Sequence, residues 1–318
     1  MSKFASTLAG WQRRHGRNGL PWQGTRDPYR VWLSEVMLQQ TQVSAAIPYY
    51  RRFLEKYPTV QALAAAQEDD VLRLWSGLGY YARGRNLLSA ARAIAGLEKF
   101  PDSVEGLSAL PGVGRSTAAA IAVFAFGRRA AILEGNVKRV LSRVFAAEEE
   151  AELWRLAERL LPKQDIETYT QALMDLGSLV CTRSAPKCEA CPVAAQCIAR
   201  KHKRIHELPV PRARKVLPTR RATWFVFVHD EAVLLERRPS RGLWGGLWTF
   251  PETRVLRTRE GKKLPIIEHG FTHFRLLAQP LVHRLKKRVE SPGRLWLDFA
   301  DAVHAAVPTP VRTVLKSL

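Results

Sequence analysis

Between Leu110 and Thr117 the chain reads Leu-Pro-Gly-Val-Gly-Arg-Ser-Thr, and this string restricts the fold more than any other stretch. Two glycines one residue apart let the backbone turn tightly and approach another surface closely. The apolar run Ala118 to Phe126 follows at once, so the turn opens a helix expected from about Thr117. At such a helix start the free N–H groups and the dipole hold phosphate. An ordinary glycine-rich turn between helices would share the glycine spacing, but the full string is more specific.

Charge points to the same kind of ligand. The chain has 318 residues, with 50 Lys and Arg against 29 Asp and Glu, a formal charge of +21. That excess attracts polyanions, nucleic acid before an anionic membrane. A hydrophobic content of 46% is enough for soluble cores, and the length predicts two domains. The first twenty residues lack a signal-peptide core; Phe4, Leu8 and Trp11 fall at helical spacing instead. The run Ala118–Phe126 is too short to span a bilayer. A cytoplasmic, nucleoid-associated protein that uses no membrane is therefore expected. The four cysteines all lie between Cys181 and Cys197, and in a reducing compartment that cluster argues for a metal centre.

Residues 1–200 read as helices. Asp27-Pro28 caps and opens one of them, and others are predicted over 60–66, 69–77, 83–95, 117–126, 137–145, 149–161 and 169–179. Residues 201–221 are basic, with three prolines and a single acid, and read as a linker ordered only against a partner. From 222 the pattern becomes β-rich: Ala222–Val228 and Ala232–Leu235 form a hairpin, with further strands over 271–278 and 295–299 and one or two helices. The expected fold class is α+β multidomain, with an all-α first domain (1–200) and a C-terminal α/β domain (222–318).

The glycine string, Leu33–Val43, Gly77–Arg83, Gly135–Val140 and Met174–Gly177 together resemble the helix-hairpin-helix DNA glycosylases, the superfamily of endonuclease III. Within it the chain is most similar to the MutY adenine glycosylases, over nearly its whole length. The resemblance implies excision of adenine mispaired with 8-oxoguanine or guanine in double-stranded DNA, by a monomer. Gly112 and Gly114 would then approach a DNA phosphate. Where the lyase relatives carry a hairpin lysine, this chain has Ser116. A hydroxyl cannot form a Schiff base, so base removal without strand cleavage is expected.

Glycosidic cleavage needs a proton for the leaving base and a negative charge near the sugar. Glu35 sits among Val31, Trp32, Leu33, Val36 and Met37, where burial would raise its pKa and suit it to general acid work. A solvated helix-face Glu is the ordinary alternative, and the resemblance assigns this residue to protonating adenine. The superfamily's second carboxylate is an Asp, but here the position is Glu134. Glu is a poor N-cap and carries its charge roughly 1 Å farther out. Three outcomes are open: a working substitute, an impaired enzyme, or a catalytically weak binder of damaged DNA. Asn136 is expected to support this carboxylate.

A base inside a duplex must be flipped out to be cut. By resemblance Gln40 and Tyr80 are wedge residues, and Trp22 and Gln171 line the adenine pocket. An amide can both donate to and accept from adenine's edge. The spacing Cys181-x6-Cys188-x2-Cys191-x5-Cys197 has only one close pair, unlike the paired CxxC of zinc ribbons. The resemblance implies a [4Fe–4S] cluster, with zinc as the alternative, and Arg183, Lys187, Arg200 and Lys201 suggest that the loop touches phosphates.

Gly242–Pro251 resembles the Nudix-like domain that ends MutY proteins, but no Glu-rich RExxEE string follows Glu252, so pyrophosphohydrolase activity is not expected. Phe271, Thr272 and His273 match the family's Phe-Ser-His reader of 8-oxoguanine, with Thr for Ser. A strand with a core Phe and an incidental His is the plainer reading.

Overall fold

The structure is a computed structural model that describes residues 2–210, 216–254, 261–288, 290 and 292–318. Contacts divide the chain into two compact units, one of residues 1–64 and 89–213, the other of 65–88 and 214–318. The second unit thus takes in a segment from within the predicted helical domain.

In the first unit α1 (Lys3–His15) starts where Ser2 accepts from the Ala5 amide, and it ends on Arg13, Arg14 and His15, which suit the negative end of the helix dipole. Asp27 caps α2 (Pro28–Leu38) by accepting from the Tyr29 and Arg30 amides. Then come α3 (Val43–Lys56) and the short α4 (Val60–Ala64). Residues 43–56 carry Pro48 inside the helix and have no side-chain cap, so local signals hid α3. In the second unit lies α5 (Glu68–Trp75), and α6 (Ala82–Ala95) runs across the boundary.

Helix α7 (Val104–Ser108) leads through the glycine string into α8 (Arg115–Phe126), two residues earlier than expected. Of the two glycines only Gly112 adopts a left-handed φ, 78°; Gly114 is extended and forms the N-cap. After α9 (Gly135–Phe145), α10 (Glu150–Leu160) and α11 (Ile166–Asp175), a π-helical turn over Leu176–Val180 delivers the chain to Cys181. The short α12 (Ile198–Lys201) follows the cysteines. The core of this unit gathers Phe4, Leu8, Ile132, Val137, Leu141 and Leu173, packing α1, α9 and α11 together.

The expected linker is partly a folded element. Leu208 is buried, and its carbonyl accepts from Arg143 Nε at 2.8 Å, so residues up to 208 pack on the first unit. The basic residues Arg212, Arg214 and Lys215 lie outside the described residues. Arg220 and Arg221 already belong to β1 (Thr219–His229).

The sheet of the second unit comprises β1, β2 (Ala232–Arg237), β3 (Trp248–Thr249), β4 (Lys262–Lys263), β5 (Ile267–Gly270), β6 (Arg275–Arg284) and β7 (Arg294–Asp298). Its order is β3-β2-β1-β6-β4, with β5 on β6 and β7 on β2. The long β1–β6 pair is parallel, from Thr219 beside Arg275 to Val228 beside Arg284; the rest are antiparallel. Two helices close the chain, α13 (Phe299–His304) and α14 (Thr309–Leu315). The hairpin β1–β2 stands as expected, but the predicted strand over 271–278 begins only at Arg275. Residues 271–274 form a turn instead, closed by the Phe271 amide donating to the Phe274 carbonyl at 2.8 Å.

Candidate active site

A cleft of about 1460 Å³ opens in the first unit. Trp22, Glu35, Gln40, Ser116, Glu134, Asn136 and Gln171, seven of the expected site residues, all line it. Sequence-distant elements bring them there: the loop after α1, helix α2 and its end, the start of α8, the start of α9 and the middle of α11.

Glu35 lies one helical position from buried Ser34 and Val36, and burial pushes its carboxyl up to about 7, with the Glu134 charge adding to the rise. A group held there carries its proton about half of the time at neutral pH and can release it to a leaving base.

Glu134 corrects an expectation. It does cap α9: the Asn136 amide donates to Oε2 at 2.8 Å and the Val137 amide to Oε1 at 2.9 Å. The extra methylene lets the carboxylate fold back over the first turn, so both oxygens reach amides. Asn136 Nδ2 adds a third bond to Oε2 at 3.1 Å, as its supporting role required. Two carboxyls thus face one cleft, Glu35 raised by burial and Glu134 fixed by three N–H donors at a helix N-terminus.

Asn136 is itself fixed. Its Oδ1 accepts from Arg139 at 2.8 Å, and Arg139 also donates to the Gly177 carbonyl at 2.5 Å and to the Cys181 carbonyl at 2.6 Å. A side chain at Gly177 would collide with Asn136, at 2.5 Å from its Cβ, so this close approach requires glycine.

Ser116 Oγ accepts from the Leu133 amide at 3.0 Å, tethering the residue before Glu134. The Gly112 carbonyl accepts from Gln39 at 3.2 Å, linking the hairpin to the end of α2. Gln40 is exposed with a left-handed φ of 57°. Trp22 is buried edge-on against Tyr50, with ring centroids 5.3 Å apart. Gln12, Arg17 and Asp175 also line or underlie the cleft, and sequence reasoning passed over them. Asp175, fully buried inside the apolar run Leu173–Leu176, was the available signal.

The four cysteines line one small cavity with Arg143, Leu176 and Val180. Arg143 is buried and donates to the Thr182 carbonyl at 2.7 Å, the Arg183 carbonyl at 3.0 Å and Cys181 Sγ at 3.4 Å. Burial pushes the Cys191 thiol up to about 11 and raises Cys197 too. Among the described residues no three His, Cys, Asp or Glu side chains converge tightly enough to hold a single ion. Arg200 is paired with Glu189 at 2.9 Å.

In the second unit Tyr80 is 47% exposed, with a left-handed φ of 48°. The turn that carries it is braced by Trp75 Nε1 donating to the Gly79 carbonyl at 3.1 Å and by Arg83 over the Trp75 ring. Thr272 and His273 are exposed on the turn before β6, while Phe271 stacks on Phe274 at 4.5 Å and packs against Trp244 at 5.5 Å. These residues form a turn and not the strand of the plainer reading. The segment after Glu252, where a Nudix helix was judged absent, includes residues 255–260, which lie outside the described residues.

Known proteins match this architecture. The HhH-GPD superfamily of base excision DNA repair proteins matches residues 33–163, and the NUDIX domain matches 223–317. The adenine DNA glycosylase of Buchnera aphidicola subsp. Schizaphis graminum is 33% identical, over 98% of each chain. The human adenine DNA glycosylase is 31% identical over 99% of this chain and 74% of its own. Among solved structures, a thermostable thymine-DNA glycosylase superposes with a TM-score of 0.59 at 28% identity, covering 63% of this chain and 95% of that one. An endonuclease III–DNA complex shares the fold at a TM-score of 0.56 and 22% identity, over 63% of this chain and 94% of that one. No helix among the described residues is long and apolar enough to cross a membrane.

Proposed function

The chain belongs to the adenine DNA glycosylase family, and on that premise we propose that it hydrolyses the N-glycosidic bond of adenine mispaired with 8-oxoguanine or guanine in double-stranded DNA, acting as a monomer in the cytoplasm. The observation that carries the reading is the pair of unlike carboxyls in one cleft, Glu35 raised to about 7 and Glu134 fixed by three N–H donors.

Glu35 gives its proton to the departing base, so the electrons of the C–N bond leave on a neutral heterocycle. Positive charge grows on the sugar as the bond breaks, and the Glu134 carboxylate stabilises it by Coulomb attraction. A water then adds to the sugar, and Glu35, now ionised, accepts its proton. Because Glu134 caps α9 with both carboxylate oxygens, it serves in place of the family's Asp, and the reading as a catalytically weak damage binder is set aside. Ser116 supplies no amine for a Schiff base, so the chemistry stops at the abasic site.

Gln40 and Tyr80, each already in a strained left-handed backbone, are the wedges that enter the stack, and Trp22 and Gln171 receive the flipped base. Gly112, Gly114 and the amides opening α8 hold a phosphate. The exposed Phe271-Thr272-His273 turn reads the opposing 8-oxoguanine.

Cys181, Cys188, Cys191 and Cys197 fit a [4Fe–4S] cluster. They supply four sulfur donors around one apolar cavity, and Arg143 stands against Cys181 Sγ. When bound, the cluster cross-links four points of residues 181–197. Single-turnover release of adenine opposite 8-oxoguanine, with Glu35→Gln as blank, tests the assignment. Tight binding without release would leave a damage-recognition protein.

A further inference from the structure

Asp175 has no solvent exposure, and every hydrogen bond recorded for its carboxylate is one it accepts. Oδ2 takes the Arg17 amide at 2.7 Å and Gln12 Nε2 at 2.9 Å; Oδ1 takes Arg17 Nε at 2.7 Å and Gln171 Nε2 at 2.9 Å. The Arg17 guanidinium pairs with the group, its Nη2 2.6 Å from Oδ1.

Both carboxylate oxygens only accept here, so an amide bonded to them turns its NH₂ inward. Two glutamines are set this way. Gln171 lines the cleft, and with one N–H held by Asp175 its amide is fixed in orientation, the carbonyl oxygen on the side away from the carboxylate. The Gln12 Oε1 is buried and finds no donor. An unoriented glutamine could present either end of its amide; Gln171, held this way, presents its oxygen.

We propose that Asp175 fixes the polarity of the base pocket: it turns Gln171 so that the pocket accepts a purine bringing a hydrogen-bond donor at position 6 and rejects one bringing a carbonyl there. Adenine has the 6-amino group; guanine and hypoxanthine present an oxygen, which would face the Gln171 oxygen with no proton between them. Asp175 is a positioning residue that acts through Gln171. The inference rests on the glycosylase reading and adds the origin of its base selectivity.

The test compares single-turnover release of three bases opposite 8-oxoguanine: adenine, unsubstituted purine and hypoxanthine. The wild type should release adenine fastest relative to purine and hypoxanthine slowest. In Asp175→Asn the carboxamide can donate, Gln171 can rotate, and the hypoxanthine-to-purine ratio should rise about tenfold or more. Gln171→Leu should erase most of the adenine-to-purine preference without helping hypoxanthine. Should Asp175→Asn fail to fold, Gln171→Leu decides, and an unchanged adenine-to-purine ratio overturns the proposal. Equal slowing of all three bases by Asp175→Asn, with ratios intact, reduces Asp175 to a structural anchor and also overturns it. A wild type that releases none of them brings down the glycosylase reading itself, and this inference with it.

Discussion

Replacing Glu35 by Gln should abolish base release and stabilise the protein, with the gain growing as pH rises. The carboxyl is raised from its ordinary 4.5 to about 7 by burial and by Glu134. For an acid the sign is fixed: with the native pKa above the unfolded one, the native state holds more protons between those values, so its stability falls as pH climbs through them. The full shift of roughly 2.5 units corresponds to about 3.4 kcal/mol at about 1.4 kcal/mol per unit. Between pH 5 and pH 8 the wild type should lose about 2.5 kcal/mol of this, because part is already spent at pH 5. Gln has the shape of the neutral acid and does not titrate, so the variant escapes the loss. Urea unfolding of both proteins at the two pH values measures the difference, and the variant's advantage should be larger at pH 8 by about 2.5 kcal/mol. In parallel, wild-type single-turnover rates should fall about tenfold per pH unit once pH passes 7. A stability gap that is the same at both pH values would show that Glu35 is not an acid held neutral, and the proton-donor argument would fail.

Glu134→Asp should keep or raise the rate of adenine release, whereas Glu134→Gln should lose on the order of 100-fold or more; equal rates in all three proteins would remove Glu134 from the chemistry. Borohydride should trap no covalent adduct between the wild type and abasic DNA, and efficient trapping would contradict the role given to Ser116. Arg143→Met should loosen the loop that holds Thr182 and Arg183, lowering the iron retained per chain and the cluster's visible absorbance; full retention would show that the carbonyl bonds of Arg143 are dispensable. Thr272→Val keeps the shape and removes the hydroxyl, so it should narrow the preference for 8-oxoguanine over guanine while leaving adenine release opposite guanine little changed.

What the sequence revealed was whatever has a local signature. Phe4, Leu8 and Trp11 at helical spacing and Asp27 with Pro28 announce their helices, the glycine string announces α8, and the cysteine spacing marks one cavity. Glu35 stood out because a charge amid Val31, Trp32, Val36 and Met37 is anomalous. The reading failed where a particular side chain's reach or a packed partner decides the geometry. Glu134 was expected to cap poorly because propensities are averages, and they miss a side chain long enough to fold back over its own helix. Helix α3 was hidden by Pro48, whose lost backbone bond is tolerated within a packed fold. Asp175 went unnoticed because its importance lies in Gln12, Arg17 and Gln171, up to 163 residues away. The turn at 271–274 looked like strand because Phe and Thr favour extended structure, yet stacking of Phe271 on Phe274 folds it back.

The assignment of residues 65–88 to the second unit bears on the order in which the chain comes off the ribosome. Asp69 meets Arg237 and Trp248, 168 and 179 residues later, and Ser76 meets Val307, 231 residues later. During synthesis this segment must wait, its partners unmade, until nearly the last helix has emerged. A gene cut between the two sequence domains would therefore leave a gap in each product: an N-terminal fragment with Asp69, Ser76 and Arg85 stranded, and a C-terminal fragment whose Arg237, Trp248 and Arg312 face solvent in place of their partners. The turn that carries Tyr80 sits inside the waiting segment, so the wedge would take its final form only when translation is almost complete.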